Sequence, residues 1–255
     1  MTLLQYGLLF IAAAAAGAMN AAAGGGSFFT FPTLLFVGVS PIIANATNTV
    51  ALWPGVIAGV GAFRQELGKI RPHLATFGVV SLVGGGIGAV LLLNTQETTF
   101  SKMIPFLLLL ATVIFASSGW FNRWQRAHAG GGIAGHRWLV LVLQLLIAIY
   151  GGFFGGGIGI MMLALLSVSG FEDMLEMNAL KLVLNVMING VAVIIFVVAG
   201  MINWPAALVM IVGSVSGGYG GGMLTRRLPQ IWVRRFVVAV GVVLTIYFFD
   251  RYWLA

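Results

Sequence analysis

Long runs almost without charge set the first limit on what this chain can fold into. Residues 74–93, 103–119 and 233–249 are long, almost charge-free runs, the last holding only Arg234 and Arg235 near its start, close to the roughly 20 residues a helix needs to cross a hydrocarbon core. Only 7% of the 255 residues are charged while 60% are hydrophobic, against about a quarter charged in an ordinary soluble domain. Such a chain has too few charges to cover a surface facing water. An all-α polytopic membrane protein is therefore predicted, with helices rather than barrel strands because the runs have helical span length. The run at 3–18 has no basic segment before it and no polar mature domain after it, so it is expected to be a retained helix rather than a signal peptide.

The formal charge is +7, from 13 Lys+Arg against 6 Asp+Glu. The basic residues are not spread over a face, as nucleic-acid binding requires. They fall into three short clusters between apolar runs: Arg64/Lys69/Arg71, Arg123/Arg126/Arg137 and Arg226/Arg227/Arg234/Arg235. Loops kept on the cytoplasmic side look like this. Cysteine is absent, which excludes disulfides, thiolate metal sites and thiol nucleophiles. His73, His128 and His136 lie in or beside loops, so neither a metal nor a cofactor is expected.

Laying the chain on itself gives matches at a spacing of about 130 residues, far beyond a solenoid period. Gly24-Gly25-Gly26-Ser27 matches Gly155-Gly156-Gly157-Ile158, and Asn45-Ala46 matches Asn178-Ala179. Leu67-Gly68-Lys69-Ile70 matches Ala199-Gly200-Met201-Ile202, and Gly84-Gly85-Gly86-Ile87-Gly88 matches Ser216-Gly217-Gly218-Tyr219-Gly220. The order is kept throughout. Residues 1–120 are read as a first repeat, 121–136 as a cytoplasmic basic linker and 137–255 as a second repeat, together one integral membrane domain. Each repeat comprises an apolar segment, a glycine run, a short apolar segment at 28–37 or 159–168, and three long helices.

The short segments cannot cross a full core at about 1.5 Å per residue. Each is a half-helix or one arm of a re-entrant hairpin. Irregular backbone at membrane depth survives only where protein or a wet cavity satisfies it, so the glycine runs point to a cavity. With all three basic clusters inside, an odd number of crossings separates the linker from each end, whether the leading segments cross or re-enter. Both termini then lie outside and the second repeat is inverted. Broken segments that enter from opposite faces meet near the midplane, where solute sites form.

Lys181 leads the candidate residues, because an ammonium inside an apolar stretch is costly unless paired or hydrated. Asn178, Lys181, Asn185 and Asn189 are spaced three, four and four apart, a polar stripe on one helix face. The competing reading makes the amides interhelical glue and lets Lys181 snorkel to the interface. In the first repeat Asn45, Asn48 and Thr49 share a face, with Asn48 opposite Lys181 in the alignment. One cation among amides and hydroxyls, roofed by helix N-terminal donors, suits a small anion. Ser27 and Ile158 would supply those donors; Gly25, Gly26, Gly156 and Gly157 would form the breaks, and Asn20 would line the cavity or end its helix. Gly84–Gly88 and residues 217–222 are assigned to close helix packing, and Trp53-Pro54 and Trp204-Pro205 to a kink and a helix start.

A glycine run followed by Phe29-Thr30-Phe31-Pro32-Thr33-Leu34 and Ala44-Asn45-Ala46-Thr47-Asn48, with a degenerate second copy, resembles the TauE/SafE family of sulfite exporters. The likeness covers nearly the whole chain. It implies a multi-pass protein of the bacterial inner membrane that exports sulfite, sulfonates or other small organosulfur anions. The second copy has Leu163 where the first has Pro32, and Lys181 where the first has Asn48, so an asymmetric site is expected. A secondary transporter is the leading function. An anion channel, or a carrier of another small organic anion, is the alternative. An enzyme is not expected, since no His or Cys lies within the spans. Expected partners are the lipid bilayer and a small anionic substrate, with no nucleic acid; a homo-oligomer stays open. Glu172, Asp173 and Glu176 are read as loop acids rather than proton relays.

Overall fold

The computed structural model describes every residue except 23–24, 62, 128–135, 172, 226–229 and 255, and describes side chains outside 21–24, 62, 118–135, 172, 219–234 and 254–255. Among the described residues there are ten α-helices and no strand. They are α1 (Leu3–Ala22), α2 (Ser27–Phe36), α3 (Pro41–Gly61), α4 (Leu67–Asn94), α5 (Glu97–Ala127), α6 (Arg137–Phe153), α7 (Ile158–Val168), α8 (Met174–Val198), α9 (Trp204–Thr225) and α10 (Gln230–Phe249), the last continued by a π-helical turn, Asp250–Leu254. Five are long and apolar enough to cross a membrane: α1, α4, α5, α8 and α10. Their exposed surfaces carry Val79, Leu110, Ile194 and Val243, as a hydrocarbon solvent allows and water does not.

The short helices α2 and α7, 10 and 11 residues, span only about 15 Å each. Both stop at a glycine in the left-handed region, Gly38 (φ 88°) and Gly170 (φ 93°). Past each glycine the chain donates back into the last turn, Val39 N–H to Leu34 at 3.0 Å and Phe171 N–H to Leu166 at 3.3 Å. This bond pattern ends a helix and needs a residue free of Cβ. Helix starts use side chains: Asp173 accepts from Leu175 N–H (2.8 Å) before α8, and Asn203 from Ala206 N–H (3.2 Å) before α9. Pro54 lies inside α3, and Pro205 lies in the first turn of α9, as the helix start expected at Trp204-Pro205 requires.

Packing obeys an exchange rule. α1 rests on α9 and α4 on α6; α3 meets α8, α3 also meets α9 as α8 meets α4, and α5 meets α10. Swapping the five helices of one half for those of the other returns the same set of pairs. Glycines make the two largest contacts close. A Cβ at Gly213 would lie 2.6 Å from the Phe10 carbonyl, one at Gly217 2.6 Å from Ala14 Cα, and one at Gly88 2.7 Å from the Phe153 amide. Gly88 of the α4 run and Gly217 of the α9 run therefore have the packing role assigned to them.

Two details depart from expectation. α5 continues to Ala127, into the segment read as linker, because nothing between 119 and 127 breaks a helix. The matched tetrapeptides at 67–70 and 199–202 also sit differently. Leu67 opens α4, whereas Gly200 (φ 68°) closes α8 and α9 waits until Trp204.

Candidate functional site

Each half begins with a helical hairpin whose ends return to one level. In the first, Gln5 Nε2 near the start of α1 donates to the Val37 carbonyl just past α2 at 3.5 Å. In the second, Arg137 at the start of α6 and Ser169 and Phe171 just past α7 line one cavity, with His73 and Thr76 of α4. The second arm of the first hairpin meets the turn of the second: Phe31 of α2 packs edge-on against Phe154 with ring centroids 5.5 Å apart. Phe28, Phe31, Ala111, Phe115 and Phe154 are buried together there.

The turns are pinned by polar groups. Asn20 Oδ1 accepts from Gly26 N–H at 2.9 Å, and Tyr150 O–H donates to the Gly156 carbonyl at 2.7 Å. Gly25 (φ 87°) and Gly157 (φ 78°) take left-handed conformations at the breaks, where a side chain would be strained. The predicted amide donors are partly used within the turns, since Ile158 N–H bonds the Gly155 carbonyl (3.3 Å) and Phe28 N–H that of Gly25 (3.1 Å). Ser27 is half-buried at the first turn of α2. Gly24 and Glu172 lie outside the described residues.

Lys181 lies one short helix away from its break. Its stem passes α7 so closely that a methyl at Gly159 would meet the Lys181 Cδ at 3.5 Å. Its ammonium donates to Asn178 Oδ1 at 2.8 Å, and among the described residues no carboxylate lies within salt-bridge distance of it. Asn178 in turn donates to the Met174 carbonyl (2.8 Å), and Asn189 Nδ2 donates to the backbone and side-chain oxygens of Asn185. The hydrogen bonds described for this stripe thus stay within α8.

The first-half residues behave differently. Asn48 is buried and accepts from the Thr30 hydroxyl of α2. Asn45 Nδ2 reaches across the halves to the Phe153 carbonyl at 2.8 Å, while its buried Oδ1 has no partner. Thr49 donates to the Asn45 carbonyl at 3.0 Å, a bond within α3. No described hydrogen bond joins Asn48 to Lys181. Between α3 and α8 stands Trp53, whose indole N–H donates to the Val186 carbonyl at 3.1 Å and whose ring covers Gly190. Sequence reasoning missed Thr30, Tyr150, Trp53 and Gly159. Thr30 carried a signal, a hydroxyl in an otherwise apolar half-helix; the others gain their roles only from helices far away in the chain.

The acids near α8 are engaged at its start. Lys69 of α4 pairs with Glu176 at 3.3 Å and Asp173 at 3.7 Å. Among the described residues no group of three His, Cys, Asp or Glu is arranged to hold a metal.

The profile described as sulfite exporter TauE/SafE matches residues 9–248. The chain belongs to the TauE/SafE family. It is 27% identical over 244 residues to the probable membrane transporter protein YfcA of Escherichia coli K12, covering 95% of this chain and 88% of that one. It is also 27% identical over 220 residues to a probable membrane transporter protein of Haemophilus influenzae, covering 85% of this chain and 83% of that one. No solved structure matches it significantly. This TauE/SafE protein is thus a membrane transporter.

Proposed function

We propose that the protein is a secondary transporter that exports sulfite or a related small organosulfur anion across the bacterial inner membrane, with Lys181 as the charge partner of the cargo. One observation carries this reading. A lysine without a described carboxylate partner runs its stem past the N-terminal turn of a helix too short to cross, inside a chain of few charges. The helix terminus and the ammonium have the same sign of field, and together they favour an anion between them.

Inverted repeats fit the loop charges and the contacts. The Lys69 pairs bring the starts of α4 and α8 to one face, and the Trp253 indole bond to the Lys102 carbonyl (3.1 Å) brings the start of α5 and the chain end to the other. The hairpin ends at Gln5/Val37 and Arg137/Ser169 favour re-entry, with three crossings in each half. Hairpins then enter from opposite faces and their turns meet within the bilayer, so that Asn48 and Lys181 mark two levels of one path, the first with Asn45, Thr49 and Thr30, the second with Asn178 and Asn185.

The test is flux into proteoliposomes with sulfite and an alkyl sulfonate as cargo and sulfate and a cation as controls. Lys181→Met removes a charge-assisted contact and is expected to cut sulfite flux about tenfold or more. Unchanged flux through a folded Lys181→Met protein would sink the site. Flux that neither saturates nor shows counterflow would assign the same path to an anion channel.

A further inference from the structure

The cavity at the open end of the second hairpin has a chemistry of its own. It measures about 390 Å³, at the lower end of the range of small-molecule sites, roughly 300–1,000 Å³. Arg137 stands at its mouth and donates to Thr76 Oγ1 at 3.3 Å. That hydroxyl is neutral, and among the described residues no carboxylate pairs with Arg137. His73 is held edge-on against Phe171, ring centroids 4.7 Å apart, and Ser169 adds a second hydroxyl to the wall. Among the described residues no acid lines the cavity. The nearby ones, Asp173 and Glu176, are already engaged by Lys69. The lining also has apolar members, among them Phe77, Leu141 and Phe171. Beside it Trp138 is 67% exposed, the position of an aromatic anchor at a membrane interface.

A cation and two hydroxyls over an apolar floor, between helix ends at an interface, match an oxyanion carried on an apolar stem. Basic pockets between membrane helices bind anionic headgroups for this reason. We propose that this cavity is a binding site for a phosphate-type oxyanion on an apolar stem, the chemistry of an anionic phospholipid headgroup, with Arg137 as its charge partner. The site lies apart from Lys181 and does not depend on what the protein transports.

Thermal unfolding and native mass spectrometry of the detergent-solubilised full chain test it, with phosphatidylglycerol, phosphatidylcholine, hexyl phosphate and inorganic phosphate as probes. Phosphatidylglycerol is expected to bind about fivefold tighter than phosphatidylcholine, the attraction of one basic residue for an anionic headgroup. Arg137→Gln should abolish the difference and Arg137→Lys keep most of it. Leu141→Trp, which leaves the arginine in place and fills the floor, should abolish binding and keeps the test open if Arg137→Gln does not fold. Saturation by hexyl phosphate as tight as by the lipid supports the site and assigns a soluble amphiphile as its source. Equal binding of the two lipids, selectivity that survives both Arg137→Gln and Leu141→Trp, or inorganic phosphate binding as tightly as hexyl phosphate would overturn it.

Discussion

Asn45 shows how a single amide bears on both halves. Its Nδ2 donates to the Phe153 carbonyl of the opposite hairpin while its Oδ1 is buried without a partner, so the residue is half-satisfied in a place where unmet polar groups are costly. Asn45→Ala removes one bond and one orphan and is expected to cost about 1 kcal/mol or less. Asn45→Asp loses the donor and sets a carboxylate against a carbonyl. It should lower the melting temperature in detergent much further than the alanine variant. An Asn45→Asp protein as stable as Asn45→Ala would show that the Phe153 contact contributes nothing. At this scale the sequence was informative about type and silent about partners. The polar stripe of α8 and the Asn45/Asn48/Thr49 face follow from spacing alone. That α8 keeps its amide bonds to itself, while α3 spends Asn45 on a backbone carbonyl 108 residues away, depends on which broken helix happens to end beside it.

At the scale of elements, the close contacts of α1 with α9 and of α4 with α6 rest on missing side chains. Gly217→Val would push into the α1 backbone at Ala14 and Gly88→Val into the Phe153 amide; each is expected to destabilise by about 1–3 kcal/mol or prevent folding. Gly7 on exposed α1 is a control, since nothing lies within 4 Å of a Cβ there. Gly7→Ala should leave stability unchanged or raise it by about 0.5–1 kcal/mol, measured by thermal unfolding of the purified variants. Helix existence was legible because apolar run length and glycine breaks are local properties. Helix ends were less so: α5 overran the expected linker boundary, and the second-half match at 199–202 turned out to be a helix stop, because a Gly-rich tetrapeptide reads the same at the start of one helix as at the end of another.

For the molecule as a whole, the decisive question is which loops share a face. The chain has no native cysteine, so single-cysteine variants report accessibility to an impermeant maleimide without background. Thr2→Cys and Thr95→Cys are expected to label from the periplasmic side, and Arg64→Cys and His136→Cys only after the cytoplasmic side is opened. Ser40→Cys is expected on the side of Thr2 whether the two leading segments re-enter or both cross, so its labelling from the side of Arg64 would end both arrangements. Labelling of Thr2→Cys and His136→Cys from one side would end the inverted arrangement. The helical membrane class was determined by the sequence itself, and the reading of a duplication with basic loops inside was drawn from it, since lipid imposes length and charge rules that act on contiguous segments. What the tertiary structure decided is the pairing: which helices touch across the halves, that Phe31 of α2 meets Phe154 at the second turn, and that the Lys181 stem runs past Gly159. These contacts join residues far apart in the chain, and no local pattern encodes a distance that only packing creates.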